Sequence, residues 1–320
     1  MSRVVPSPIR LLALVLALLC AVGGGVAIAQ AAPDAGPLAL SEVATGVHVH
    51  SGLMADWLPG NDGDIANLGL IVGNRCAAVI DTGGTPQLGL RWRAAIERTT
   101  SLPICYVINT HAHPDHMLGD AAFIGPGTQF VAGARFGAAL RAREPYYLNA
   151  LRRDFGITVT HLGIVYPTLA VERSLELDLG GRVIVLQAWP TAHTDNDVTV
   201  YDRSSRTLFA SDLLFVQHLP VVDGNLRGWL AVMKELAKID VAVVVPGHGA
   251  ASRDWPAALA PQQAYLEALL RETRAAIKSG TTLAQAVESV GTAAAAPWQL
   301  TERFHRRNVT AAFAELEWED

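Results

Sequence analysis

The chain has little cysteine, little charge and no basic excess, and each shortage closes off a class of protein. Only three cysteines occur, and Cys20 lies in an apolar N-terminal run. Cys76 and Cys105 remain, too few for disulfides to be the main source of stability. Each sits in or beside an apolar run that reads as a strand, so they either pair in an oxidising compartment or stay buried as thiols. Buried thiols are the expectation.

Charged residues are 17% of the chain and the formal net charge is −5. A mildly acidic body lacks the basic footprint of a nucleic-acid binder, and no nucleic-acid partner is expected. Hydrophobic residues reach 50%, enough for one large core, alone or with an appended helical piece.

Past the N-terminus no long apolar run occurs. Residues 11–26 form one, but it is short for a membrane span and ends in Gly23, Gly24 and Gly25 with no basic stop. Arg3 and Arg10 precede it, and Ala27, Ala29, Ala31 and Ala32 follow. That order describes a secretory signal peptide over residues 1–32. Leu18 and Leu19 before Cys20 do not suit lipidation, which would want a small residue. The mature chain is expected to be periplasmic or secreted, without a stable membrane span. Loss of the two leader arginines would move its charge from −5 to −7.

Short β-branched runs broken by turn signals fill residues 43–201: 46–50, 68–72, 77–80, 104–108, 129–131 and 183–188 read as strands. Helical patterns at 86–98 and 134–143 fall between them, the first behind Thr85 as a cap. A second cycle follows, with strands at 198–201, 207–210 and 241–245 and a helix at 227–239. Element order thus suggests two similar α/β halves, with no repeat visible in the residues themselves. After Trp255 the strands stop. Residues 257–278, 283–290 and 302–317 read as helices, with 291–297 as a linker, and their apolar stripes suit a structural cap docked on the main domain.

The densest chemistry is Thr110-His111-Ala112-His113-Pro114-Asp115-His116, where three imidazoles and a carboxylate crowd into six positions after an apolar strand. On a loop leaving a strand end, His111 and His113 can converge on one ion while Asp115 and His116, on the following turn, face another. Neutral imidazole and carboxylate are ligands that zinc accepts. Three further sites fit loops on the same edge: His193 after Ala192, Asp212 after Ser211, and His248 in Pro246-Gly247-His248-Gly249. Taken singly, His248 reads as a buried core histidine and Asp212 as a capping residue. Together with the first motif they read as ligands, and a carboxylate at Asp212 can bridge two cations.

These residues, with Val79-Ile80-Asp81-Thr82-Gly83-Gly84, resemble the metallo-β-lactamase superfamily over residues 43–251. The resemblance implies an αββα sandwich spanning 43–254 with a C-terminal helical extension, 255–320. It implies that His111, His113 and His193 hold one zinc, that Asp115, His116 and His248 hold the other, and that Asp212 bridges them. Iron or manganese would suit the same donors. Asp81 would orient a ligand histidine through its ring N–H. True metallo-β-lactamases usually carry Cys or Ser where Asp212 stands, whereas glyoxalase II-like thioesterases and many other hydrolases carry Asp, so this chain sides with the non-lactamase branch, although His193-Thr194-Asp195-Asn196 resembles a stretch of some lactamases.

A narrower resemblance, to the quinoprotein relay system zinc metallohydrolases, rests on the leader, on Ala192-His193-Thr194-Asp195-Asn196-Asp197-Val198, and on Phe304-His305-Arg306-Arg307-Asn308-Val309 with Glu315-Leu316-Glu317.

The expected activity is that of an exported, binuclear zinc-dependent hydrolase directing a metal-bridging hydroxide at an ester, thioester or lactam-like carbonyl of a small molecule. Asp115 would ligate first and steer the hydroxide second. Substrate contacts are expected from the loop 54–64, with an exposed Trp57 as a flap, and from His218; Arg227 or Lys234 would meet an anionic group. Two other activities fit the same residues: true lactam hydrolysis, and a non-catalytic metal-binding partner of a periplasmic quinoprotein dehydrogenase.

Overall fold

The computed structural model describes residues 36–159 and 163–319. The expected signal peptide, 1–32, lies outside the described residues.

The first half begins as an antiparallel meander, β1 (Ser41–Ala44), β2 (Val47–His50), β3 (Leu68–Val72) and β4 (Ala77–Ile80). Helix α1 (Pro86–Thr99) then crosses to β5 (Ile104–Asn109), which pairs parallel to β4. Thr85 caps α1 by accepting the Leu88 N–H, and Pro86 sits where its missing N–H is harmless. Strands β6 (Gln129–Gly133) and β7 (Leu169–Val171) complete a seven-stranded sheet. The short helix α2 (Pro114–Met117) follows β5, and α3 (Phe136–Asp154) follows β6.

The second half repeats the order. A meander β8 (Ser174–Asp178), β9 (Val183–Ala188), β10 (Val198–Asp202) and β11 (Thr207–Phe215) is followed by helix α4 (Leu226–Leu236) and a parallel β12 (Val243–His248), a five-stranded sheet. Four antiparallel strands, a helix and a parallel strand therefore occur twice, as the element order suggested.

The inner faces of the two sheets meet in one apolar layer, with Val47, Ile71, Ile80 and Val131 from the first and Ile184, Leu186, Val200 and Phe209 from the second. Burying both faces explains why the strands read as continuous apolar runs. Helix α1 covers the outer face of the first sheet through Leu88, Trp92 and Ile96. Helix α4 covers the second through Trp229, Val232 and Leu236, which share a core with Leu208, Leu214 and Val244. The result is an αββα sandwich.

Beyond it lie α5 (Ala260–Lys278), α6 (Leu283–Ser289), α7 (Thr292–Ala295) and α8 (Thr301–Leu316). Tyr265, Leu266 and Leu269 of α5 and Val309 and Ala312 of α8 join the core of α4 rather than forming their own.

Several expectations change. Strands β1 and β7 are too short to show a period of two, whereas β8 does alternate, Leu175 and Leu177 facing in between exposed Ser174, Glu176 and Asp178, a signal that sequence reading missed. Helix α3 runs eleven residues past its expected end, to Asp154, and carries Pro145 inside it. The expected linker 291–297 contains α7, opened by Gly291 in the left-handed region at φ 69°. Cys76 and Cys105 form a disulfide rather than two thiols, with Cα atoms 5.8 Å apart. The β4–β5 register shifts between Ala77/Ile104 and Ala78/Tyr106, leaving Cys105 as an extra residue beside Cys76.

Candidate metal centre

Strand β5 ends at Asn109, and the next residues carry the ligand-rich motif to the mouth between the sheets. His113 is extended (φ −94°, ψ 151°), and Pro114 opens the following helical turn. That change of backbone leaves His111 and His113 on the loop and swings Asp115 and His116 onto α2. The second half supplies His193 from the β9–β10 connection, Asp212 from inside β11 and His248 from the last position of β12. Asp212 was expected on a loop after residue 210; β11 instead runs on to Phe215 through register shifts, with Ser211 at φ 48°. This irregularity aims Asp212 at the centre. Gly247 makes room for it, because a Cβ there would lie 1.8 Å from Asp212 Oδ1.

The side chains gather as two groups, His111, His113, His193 and Asp212, and Asp115, His116 and His248. His113 Nδ1 lies 3.0 Å from His111 Nε2 and 3.1 Å from His193 Nε2, and Asp212 Oδ2 lies 3.3 Å from His193 Nε2. Asp115 Oδ2 is 3.4 Å from both His116 Nε2 and His248 Nε2. Two atoms each about 2.0–2.1 Å from a tetrahedral zinc would stand about 3.3–3.4 Å apart. Asp212 lies between the groups, its Oδ1 3.2 Å from His116 Nε2 and its Oδ2 3.5 Å from His248 Nε2. His116 Nε2 and Asp212 Oδ1 are buried and make no hydrogen bond. Orphaned buried polar atoms are unfavourable unless something charged satisfies them, so the donor set fits a pair of divalent ions.

Each histidine's far ring nitrogen is tied down. Asp81 accepts from His116 Nδ1 at 2.8 Å and also from Thr110 N and Thr110 Oγ1. Its left-handed backbone, φ 57°, is held by its own N–H donating to Ile108 O and by the Trp92 indole donating to its carbonyl. His193 Nδ1 donates to Val221 O at 2.7 Å, His248 Nδ1 to Ile65 O at 2.9 Å, and His113 Nε2 to Asp223 Oδ2 at 2.9 Å. These bonds fix the tautomers and leave the opposite nitrogens free to ligate. Sequence reading missed Asp223, Val221 and Ile65. Two act through carbonyls, which no residue type betrays, and Asp223 sits in an unpatterned turn.

Electrostatics sort the groups. Burial, followed by the charge of His116, drives the His111 imidazole well below its ordinary value, and burial lowers His113 and His193 as well. For Asp212 burial opposes ionisation, but His248 and His116 hold its carboxyl well below the carboxylate range. In this group neutral imidazoles beside an ionised carboxylate are the protonation states that ligation needs. At His116 and His248 burial is outweighed by the charges of Asp212 and Asp115, which raise His116 well above its ordinary value and His248 to about 9, so ions binding there would displace those protons.

A cleft of about 790 Å³ opens above these residues. Trp57 lines it but is half-buried rather than an exposed flap: its indole donates to Gly84 O at 3.0 Å and its ring packs on Phe155 at 4.6 Å. His218 also lines it, buried between the rings of His248 and Phe304 at 4.9 and 5.2 Å. Arg227 and Lys234 do not line the cleft. Arg227 is tied to Glu315 and Glu319, and Lys234 lies exposed on α4. The cleft's cations are Arg143, Arg153, Arg303 and Arg307, and α8, expected as a structural cap, supplies two of them together with Phe304.

A sandwich of this topology, with His, His, Asp and His gathered where its halves meet, defines a class of metal-binding hydrolase folds. The family model described as the metallo-beta-lactamase superfamily matches residues 61–248, and the chain belongs to that superfamily. It is 24% identical over 211 residues to a linear primary-alkylsulfatase of Pseudomonas sp. (strain ATCC 19151), a match covering 53% of this chain and 39% of that protein. The chain therefore spans well under half the length of this relative. Among solved structures, the inverting sec-alkylsulfatase Pisa1 from Pseudomonas sp. superposes with a TM-score of 0.67 at 17% identity, covering 87% of this chain and 50% of that one. A metallo-beta-lactamase from Hirschia baltica superposes at 0.56 with 20% identity, covering 72% and 97%. At such identities the likeness concerns the fold.

Proposed function

We propose that the chain is an exported, binuclear zinc-dependent hydrolase acting on an ester, thioester or lactam-like carbonyl. The observation that carries this reading is the pair of donor groups flanking Asp212 on the floor of an open cleft. Bound there, two divalent ions supply a water of lowered pKa and a Lewis acid. The chain's own residues hold the geometry: Asp81, Val221, Ile65 and Asp223 orient the histidines, and Asp212 sits where one carboxylate reaches both groups. Asp115 is both ligand and cleft wall, placed to accept a proton from the attacking water and pass it on. Asp115→Asn is expected to lower kcat at least 100-fold with metal retained; unchanged turnover in a metal-loaded variant would remove that role.

A sulfate ester is the second reading, favoured by the alkylsulfatase relative and by arginines in the cleft beside Trp57 and Phe304. Asp212 in place of Cys or Ser speaks against a lactam as the natural substrate. Export draws support from the Cys76–Cys105 disulfide, which persists in oxidising compartments. Partnership with a quinoprotein dehydrogenase rests on the narrower resemblance alone, carried by the leader, residues 192–198 and the tail motif. Metal analysis with parallel turnover of a thioester, a β-lactam and an alkyl sulfate, before and after chelation, tests the proposal. Chelator-sensitive turnover of one substrate selects the branch, two ions without turnover favour the binding-partner reading, and a metal-free protein overturns the site.

A further inference from the structure

Two of the three histidines in one donor group lean on a single segment, residues 219–223, which has no secondary structure of its own. His193 Nδ1 donates to Val221 O, and His113 Nε2 donates to Asp223 Oδ2. The other three ligand histidines lean elsewhere: His111 on the Thr110 hydroxyl at 3.2 Å, His116 on Asp81 and His248 on Ile65. Whatever holds residues 219–223 therefore reaches one donor group through direct hydrogen bonds, and meets the other only through the packing of the neighbouring His218 ring on His248.

Helix α8 holds them. Asn308, fully buried, donates from Nδ2 to Pro220 O at 2.6 Å and accepts the Val222 N–H on Oδ1 at 2.9 Å, gripping both sides of Val221. Its neighbour Arg307 donates to Asp223 Oδ1 at 2.9 Å, leaving Oδ2 for His113 and for Arg143 at 2.6 Å. Asn308 is braced from behind, since it also donates to Tyr265 Oη at 2.9 Å, and Tyr265 bonds His305, whose other nitrogen meets Val290 O. Segment 219–223 is fixed at its start as well, where Leu219 N donates to Gln299 O at 3.0 Å.

We infer that α8 is a working part of the His111/His113/His193 site, with Asp223, Arg307 and Asn308 as positioning residues that set how tightly that group holds its ion. The inference rests on the metal reading proposed above. A displaced carbonyl or carboxylate frees the ring behind it to rotate, and ligand atoms must meet an ion within a few tenths of an ångström. Loss of such outer partners typically weakens metal binding about 10–100-fold. A helix that merely glued the extension to the sandwich would affect both donor groups alike through general stability.

Metal-free full-length protein, titrated with Zn²⁺ against a competing chromophoric chelator, separates the two. The wild type is expected to bind two equivalents. Asp223→Asn is expected to keep one tight equivalent and bind the other about 10–100-fold more weakly, and Arg307→Gln and Asn308→Ala to shift the same equivalent several-fold. In a His248→Ala background the remaining equivalent reports the three-histidine group alone, and Asp223→Asn should weaken it there too. Arg306→Gln is the control, because Arg306 sits on the same helix but pairs with Glu288 on the surface. It should bind both equivalents as the wild type does. Arg307 is half-exposed, so Arg307→Gln still reports if Asn308→Ala does not fold. Wild-type binding of both ions by Asp223→Asn and Arg307→Gln overturns the inference, as does equal weakening of both ions with a fall in metal-free stability. A wild type that binds no zinc overturns the metal reading instead.

Discussion

Asp120 shows how one buried carboxyl beside the centre carries its own pH signature. Its Oδ1 accepts from Thr82 Oγ1 at 2.7 Å and Asn109 Nδ2 at 2.9 Å, while Oδ2 is buried without a partner. Burial pushes its pKa up to about 8, so at neutral pH it is mostly a neutral acid. Between its ordinary value and 8 the folded chain keeps a proton that the unfolded chain releases. Stability from this group is complete at low pH and is lost as pH rises through 8. Asp120→Asn, a mimic of the protonated acid, is expected to leave stability unchanged near pH 4 and raise it on the order of 1–3 kcal/mol at pH 8. Guanidinium unfolding at both pH values checks this, and an equal effect at each would assign Asp120 an ionised state throughout. At this scale the sequence was most legible for the candidate donors, three histidines and an aspartate in six positions that the fold brings together with His193, Asp212 and His248. It was silent about Asp223, whose role depends on which ring stands opposite it.

At the scale of elements, the parallel pair β4 and β5 carries both the disulfide and the entrance to the metal motif. Closing the 29-residue separation between Cys76 and Cys105 stabilises the chain by about 3–4 kcal/mol in the loop-entropy account. The double variant Cys76→Ala/Cys105→Ala should therefore unfold at a distinctly lower denaturant midpoint while keeping its metal stoichiometry, because neither sulfur approaches the donor groups. An unchanged midpoint would mean the bridge contributes nothing. Patterning located β5 and α1 well, since an apolar run and a capped helix with an apolar face are local signals. The same patterning placed two thiols where a bridge stands. Which residues of two parallel strands lie side by side is a matter of register, and a one-residue shift put Cys105 beside Cys76.

Across the whole molecule the donor groups join the halves: His111, His113, Asp115 and His116 come from the first, and His193, Asp212 and His248 from the second. Ions held there would cross-link the sandwich, and anything binding the folded state alone stabilises it, by about 2.7 kcal/mol at a hundredfold excess over Kd. Chelation should lower the melting temperature of the wild type by several degrees, and added zinc should restore it. No shift on chelation would mean the ions are not bound in the folded state.

The sequence by itself determined that this is an α/β chain with a ligand-rich strand end, because spacing and side-chain chemistry are local facts that survive without a fold. Only the tertiary structure decided that residues up to 137 positions apart in the chain share one floor, that Trp57 is pinned rather than loose, and that the C-terminal helix reaches the centre. Those outcomes depend on how sheets and helices pack, and the contacts that set packing lie far apart along the chain.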